Sequence, residues 1–196
     1  MILAALLLMQ AGTAVAAERD FNRAAQTEGQ WTAFRRYATD DAVMFVPRPR
    51  NAQAFLKDRK DPPIAVQWWP AESYVSCDGN MAVNTGPWVR PGGSGYFTTI
   101  WVRQAGGGWK WIYDGGDELK APRRLPEPPR VRRAACRAVP PSPPAAAGPD
   151  SGAGASPDGS LRWRWTMAPD GSRGFTASLW DGRRFVPVVE DRVAPQ

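Results

Sequence analysis

A chain of 196 residues has room for one or two domains, and a hydrophobic fraction of 43% is ordinary for a folded protein. It contains 20 prolines, 10 tryptophans and no histidine, so Ser–His and Cys–His nucleophile pairs and histidine-type metal ligation are excluded. Acid–base chemistry falls to carboxylates, tyrosines or lysines, and no metal or cofactor is expected.

The first 17 residues carry no charge. The apolar run Ile2–Met9, then small residues and Ala14-Val15-Ala16, reads as a secretory leader cut near Ala16 or Ala17, which places the mature chain in the periplasm or outside the cell. The run is too short to span a bilayer, which takes roughly 20 residues, and no later segment is a candidate. The net charge of +6 is uneven: residues 18–120 hold 13 basic and 12 acidic groups, and the excess of arginine lies in the 121–196 region. Basic residues in a proline-rich strip do not make the folded basic face that specific nucleic-acid binding needs.

Glu18–Ala38 has helical spacing through Phe21, Ala24, Ala25, Trp31 and Phe34, with Gly29 dividing it in two. Thr39-Asp40-Asp41 reads as a helix stop, Ala42–Val46 as a short strand and Asn51–Lys57 as a further short helix. From Ala65 the period changes. Ala65–Trp69, Ser73–Cys77, Met81–Val89, Tyr96–Arg103 and Trp109–Asp114 are aromatic and β-branched, separated by turn formers such as Asp78-Gly79-Asn80 and Gly106-Gly107-Gly108. Helices followed by hairpin-linked strands predict an α+β domain over 18–120 with a mostly antiparallel sheet.

Residues 121–159 hold half of the prolines among Ala, Gly and Ser, and read as an extended linker. The end of the chain regains a pattern. Asp158-Gly159, Asp170-Gly171 and Asp181-Gly182 punctuate alternating runs (Leu161, Trp163, Trp165 and Met167; Phe175, Ala177 and Leu179), which predicts a three-stranded meander over 160–196 with one apolar face. So small a unit either docks on the main domain or keeps its face for a partner.

The stretch from Gly29-Gln30-Trp31 to Tyr37-Ala38-Thr39-Asp40-Asp41-Ala42-Val43 resembles SnoaL-like proteins of the nuclear-transport-factor-2-like superfamily. Trp69-Pro70, Val75–Asn80, Thr85-Gly86-Pro87-Trp88, Gly95-Tyr96, Trp101–Gln104, Gly108–Trp111 and Asp114 continue the likeness over about residues 18–118, closest to a branch described as a domain of unknown function. The resemblance implies a cone-shaped sheet wrapped by helices around an apolar cavity, and a homodimer. It does not select a function, because this architecture hosts isomerases, dehydratases, cyclases and binding proteins. Ketosteroid isomerases of the superfamily place a catalytic aspartate before a proline just after a similar Tyr-Ala-Asp-Asp-Ala stretch. Here that position is Val46, before Pro47, so the steroid-isomerase mechanism is disfavoured.

Three functions remain open: a noncatalytic envelope protein binding a small apolar ligand, a histidine-free lyase or isomerase, and an interaction module acting through Trp163 and Trp165. Trp31, Phe45, Trp69, Trp88, Trp101 and Trp111 are the candidate aromatic ligand contacts, against ordinary core packing. Of the adjacent pair Trp68-Trp69, only one can face the inside of a sheet. Asp114 is the candidate general base, with Tyr37 or Tyr74 as partner, against a plain turn residue before Gly115-Gly116. Strict alternation groups Trp109, Trp111 and Tyr113 on one face and Asp114 on the other. Asp40 and Asp41 read as turn formers. Cys77 and Cys136 are either a disulfide or two free thiols.

Overall fold

The computed structural model describes residues 12–141 and 148–195; the apolar run Ile2–Met9 lies outside them. Helices α1 (Ala14–Glu28) and α2 (Gln30–Tyr37) come first, followed by strands β1 (Ala38–Phe45) and β2 (Pro49–Asn51), the short helix α3 (Ala52–Leu56), and strands β3 (Gln67–Trp68), β4 (Glu72–Val75), β5 (Met81–Arg90), β6 (Gly93–Arg103), β7 (Trp109–Glu118) and β8 (Arg130–Arg133). These strands form one mixed sheet in the order β2-β1-β7-β6-β5-β4-β8, with β3 also on β5. The pairs β1–β7 and β4–β8 are parallel and the others antiparallel. No helix among the described residues is long and apolar enough to cross a membrane.

The helices break at Gly29, whose φ of 111° suits glycine. A side chain there would also strike Asp61, which accepts from the amides of Trp31 and Thr32 and from the Thr32 hydroxyl, and so caps α2 from a distant loop. Helix α1 starts four residues before the expected Glu18. Thr13 caps it, and three side chains of the sheet reach back to its first turn: Arg103 and Trp109 donate to the Gly12 carbonyl, and Asn84 to that of Ala14. A cut near Ala16 or Ala17 would remove all of these acceptors.

Asp40 and Asp41 lie not in a turn but inside β1, exposed, where its pairing with β7 is irregular. Val46 follows the strand into the cavity described below.

The proline-rich segment is not a free linker. Arg130–Arg133 pairs with β4, and Ser151–Ala155 forms β9, an edge strand of a second sheet with β10 (Leu161–Met167), β11 (Arg173–Trp180) and β12 (Phe185–Val193) in the order β12-β11-β10-β9. The expected three-stranded unit therefore has four strands. β9 was illegible because Gly152 and Gly154 carry no apolar period. They are there because the rings of Trp165 and Trp163 lie directly over them: a Cβ at either position would come within 2.4 or 2.7 Å of indole atoms. At the turns after β9 and β10, Gly159 and Gly171 take positive φ, as Asp-Gly pairs predict.

The second sheet packs on the outer face of the first. Tyr74, Met81, Val83, Ile100 and Tyr113 form one buried cluster with Leu161, Trp165, Phe175, Ala177, Leu179 and Val189. Tyr113 stacks on Phe175 at 4.6 Å. Buried Asp191 of β12 adds a polar knot, accepting from Thr98 at 2.7 Å and from Arg123 at 2.6 Å. Cys77 and Cys136 are disulfide-bonded, with Cα atoms 5.2 Å apart, tying the β4–β5 turn to the chain that leads to the second sheet. Beside it, Asp158 accepts from the Asp78 amide and Ser160 from that of Cys77.

Candidate functional site

On the inner face, under the helices, the first sheet carries a second cluster built from Phe21, Trp68, Trp101 and Trp111 with the alanines of α1 and α2. Next to it opens a cavity of about 470 Å³, of a size that takes a small organic ligand. Its walls include Trp31 and Phe34 of α2, Met44 and Phe45 of β1, Val46, Trp68, Trp88 and Phe97. Asp114, Asp117 and Glu118 are the carboxylates of the wall, and Arg90 and Arg173 are the cations that line it.

A bulge puts Asp114 there. Between β6 and β7, Ile100 pairs with Tyr113 and Trp101 with Trp111, so Ile112 is an extra residue. The expected grouping of Trp109, Trp111 and Tyr113 is therefore broken. Trp109 and Trp111 face the helices, Tyr113 faces the second sheet, and Asp114 returns to the inner face beside Trp111.

Of the candidate aromatic contacts, Trp31, Phe45 and Trp88 line the cavity. Trp101 and Trp111 do not: both are fully buried in the core beneath α1. Trp68, not Trp69, is the member of its pair that lines the wall. Tyr37 and Tyr74 are not partners of Asp114. Tyr37 packs on Phe21 and Trp101, and Tyr74 lies on the outer face with its hydroxyl on Glu72 at 2.7 Å. The hydroxyl beside Asp114 belongs to Thr99, at 3.4 Å.

Two further charged residues stand at or beside this cavity. The first is Glu18 of α1. It is fully buried, and its carboxylate accepts from the indoles of Trp68 at 2.8 Å and Trp101 at 2.6 Å and from Asn84 at 3.1 Å. The signal was an acid on the Ala14-Ala17-Phe21-Ala25 stripe of an otherwise apolar helix face. The second is Arg173 of β11, which reaches past the sheet edge to donate to the Gly116 carbonyl at 2.7 Å and sits 5.3 Å from the Phe45 ring. Nothing in the sequence places the tail at the cavity.

Burial pushes Asp114 up to about 8, with the charge of Glu18 adding to the rise and the Thr99 hydroxyl opposing it. Burial also raises Glu18, to about 7, against the pull of Trp101, Asn84 and Trp68. The two buried acids repel one another when both are charged, which adds to the effect of burial in favouring their protonated forms. Below about 8 Asp114 keeps a proton. The cavity then presents a neutral carboxyl, able to donate a hydrogen bond, within an aromatic wall.

Solved structures share this architecture in part. The chain is similar to a conserved protein from Planctomyces limnophilus (TM-score 0.39, 16% identity, covering 53% of this chain and 93% of that one). It is also similar to a protein described as a putative ketosteroid isomerase from Kribbella flavida (0.38, 13%, 57% and 82%) and to ActVI-ORFA from Streptomyces coelicolor (0.40, 15%, 62% and 100%). Likeness at this level carries no information on chemistry. No protein-family model matches the chain, and no curated protein does.

Proposed function

We propose that the protein binds a small, largely apolar molecule in the inner-face cavity, with the protonated carboxyl of Asp114 as its buried polar contact. The observation that carries this reading is the inward Asp114 in a cavity walled by Trp31, Phe34, Trp68, Trp88 and Phe97. A largely apolar wall with a few polar groups, here Asp114 among the aromatic rings and Arg90, Asp117, Glu118 and Arg173 beside them, is how small-ligand sites achieve both affinity and orientation. Native mass spectrometry of protein purified from its own cells tests it. A bound species in wild type that is lost on Trp88→Ala supports the reading, and uniformly ligand-free protein that also fails to take up naphthalene sinks it.

Acid–base catalysis on the bound molecule is the second reading, favoured by the nearness of Asp114's pKa, about 8, to neutrality. It lacks the tyrosine partner, since Tyr37 and Tyr74 lie elsewhere. Once a ligand is known, turnover that disappears in Asp114→Asn while binding persists would establish it. The third reading is not favoured, because Trp165 is buried against the first sheet and Trp163 packs half-buried against the same cluster.

Action outside the cytoplasm is part of the proposal. The Cys77–Cys136 disulfide supports it, since such bonds persist in oxidising compartments. The contacts to Gly12 and Ala14 restrict the export step: a leader cut that leaves the fold intact falls before Gly12. N-terminal sequencing of exported protein is expected to begin no later than Gly12, and a start at Ala17 or Glu18 contradicts this. The homodimer belongs here too, tested by sedimentation velocity. The apolar outer face of the first sheet is already covered by the chain's own second sheet, so a dimer must use another surface.

A further inference from the structure

The first sheet ends, on the side of β8, in an open edge that the cavity does not involve. Strand β8 has β4 on one side and, among the described residues, no strand on the other. The amides of Arg130 and Ala134 donate toward β4, to the Ala71 and Val75 carbonyls, at 2.9 Å each. Backbone groups alternate sides along a strand, so the N–H and C=O of Val131 and Arg133 point away from the sheet. All of Arg130–Arg133 is exposed.

The side chains of this edge sort by face. Arg130 and Arg132 stand with their register partners Glu72 and Tyr74, and Val131 stands with Ser73. Arg130 reaches an acid only at 3.9 Å, in an exposed pair with Glu72 that contributes little, and Arg132 lies 5.9 Å from the Tyr74 ring. Arg133, on the Val131 face, is held by the Cys77 carbonyl at 2.9 Å. Past the start of the strand opens a recess of about 260 Å³ lined by Arg123, Arg124, Leu125 and Arg130, in which Glu72 is the acid. Charged side chains alone would guard a free strand against stray pairing. Here they surround apolar ones. Val131 and Leu125, 60% and 44% exposed, are two of the three exposed large apolar residues among those described, and both gather at this edge.

We propose that β8 is a docking edge that takes an extended acidic segment of another protein as an added strand, its acids set against Arg130 and Arg132 and its apolar residues against Val131. An added strand supplies the partners that the outward amides and carbonyls of Val131 and Arg133 lack, and its alternation matches arginines on one face with valine on the other. The surrounding charge selects the sign of the partner: Arg123, Arg124, Arg130, Arg132, Arg133 and Arg137 stand against Glu127 over residues 121–137. A second copy of this chain fits poorly, because pairing β8 with itself sets arginine against arginine. A polyanion without a peptide backbone would meet the charges and leave the outward backbone unpaired.

Fluorescence anisotropy on the full chain tests it, with a labelled peptide of alternating glutamate and valine and the same peptide methylated on its backbone nitrogens. The plain peptide is expected to bind, and the methylated one about tenfold more weakly. Val131→Pro deletes an outward N–H and leaves the pairing with β4 alone, since proline is tolerated where the N–H of an edge strand faces solvent. It is expected to weaken the peptide about three- to tenfold. Arg132→Gln is expected to weaken it too and to flatten its salt dependence. Amide hydrogen exchange followed by NMR supplies a readout that charge alone does not move. The amides of Val131 and Arg133 are expected to exchange fast in the free chain and to become protected with peptide bound, while that of Arg132, which faces β4, is protected throughout. Absence of peptide binding overturns the proposal and leaves β8 a guarded edge. Equal binding of the two peptides, undiminished binding to Val131→Pro or Arg132→Gln, or binding without new protection at Val131 and Arg133 overturns it as well. A wild-type dimer that Val131→Pro dissociates overturns it in favour of a second copy. Should Val131→Pro not fold, the methylated peptide and the exchange of the wild type decide.

Discussion

The two faces of the first sheet are built to opposite rules. The outer face meets the second sheet through apolar side chains, and its buried charge, Asp191, is answered by Arg123 and Thr98. The inner face holds Glu18 and Asp114, whose hydrogen bonds come from Trp68, Trp101, Asn84 and Thr99 rather than from a cation, beside an open cavity that Arg90 and Arg173 also line. The outer face maximises burial and satisfies what it buries, as a structural interface does. The inner face gives up stability to hold a proton and a space, as binding sites do.

The sharpest way to break the comparison is to damage the outer face. Trp165→Ala removes a ring buried against Phe45 and lying over Gly152, and is expected to cost about 3–5 kcal/mol in chemical denaturation, at any pH. Asp191→Asn comes next. It weakens the bonds from Arg123 and Thr98 and is expected to cost about 1.5–3 kcal/mol, the range for hydrogen bonds to charged groups. If either variant instead changed the pH dependence of ligand uptake and left stability alone, the division of labour between the faces would be wrong.

The inner face predicts the opposite sign. The folded-state values of Glu18 and Asp114 lie above their unfolded ones, so the folded chain binds more protons and stability falls as pH rises. The loss begins in the ordinary carboxylate range and is complete above about 8. Asp114→Asn removes the charge that must be buried there and is expected to stabilise the protein at pH 9, by about 1–2 kcal/mol given the wetting of Asp114 from the cavity, and to do little at pH 4. Thermal melts of both proteins at the two pH values measure it, and an Asn variant less stable at pH 9 would contradict it.

What could be read in the sequence follows from how local each signal is. Asp158-Gly159 and Asp170-Gly171 announce their turns because the glycine conformation is set within the dipeptide. The break at Gly29 was legible for the same reason, although its cap, Asp61, was not, since it comes from 30 residues away. Asp114 was visible as a candidate, but its face was not. Alternation assumes an uninterrupted strand, and the extra residue at Ile112 is decided by pairing with β6. Strands β8 and β9 escaped because their partners, not their own composition, make them strands. Glu18 lies on an apolar helix stripe, but its burial is not legible there because carboxylates are ordinarily solvated.

Arg173 is the residue on which the two faces meet, and its substitution is expected to have the smallest effect on stability. It belongs to the second sheet, yet it lines the inner cavity, held by the Gly116 carbonyl and lying near the ring of Phe45. Arg173→Ala removes a partly exposed side chain and its hydrogen bonds to two carbonyls, that of Gly116 at 2.7 Å and, more weakly, that of Pro47 at 3.4 Å, so about 0.5–1.5 kcal/mol is expected in denaturation. Its effect on the cavity is expected to be larger than that cost suggests, because Phe45 loses the group beside it and the mouth widens. Faster release of naphthalene in stopped-flow measurements, with equilibrium stability nearly unchanged, would show that the second sheet shapes the site as well as covering the first. Unchanged release would confine the second sheet to stability alone, and the cavity would then owe its mouth to the helices and the first sheet.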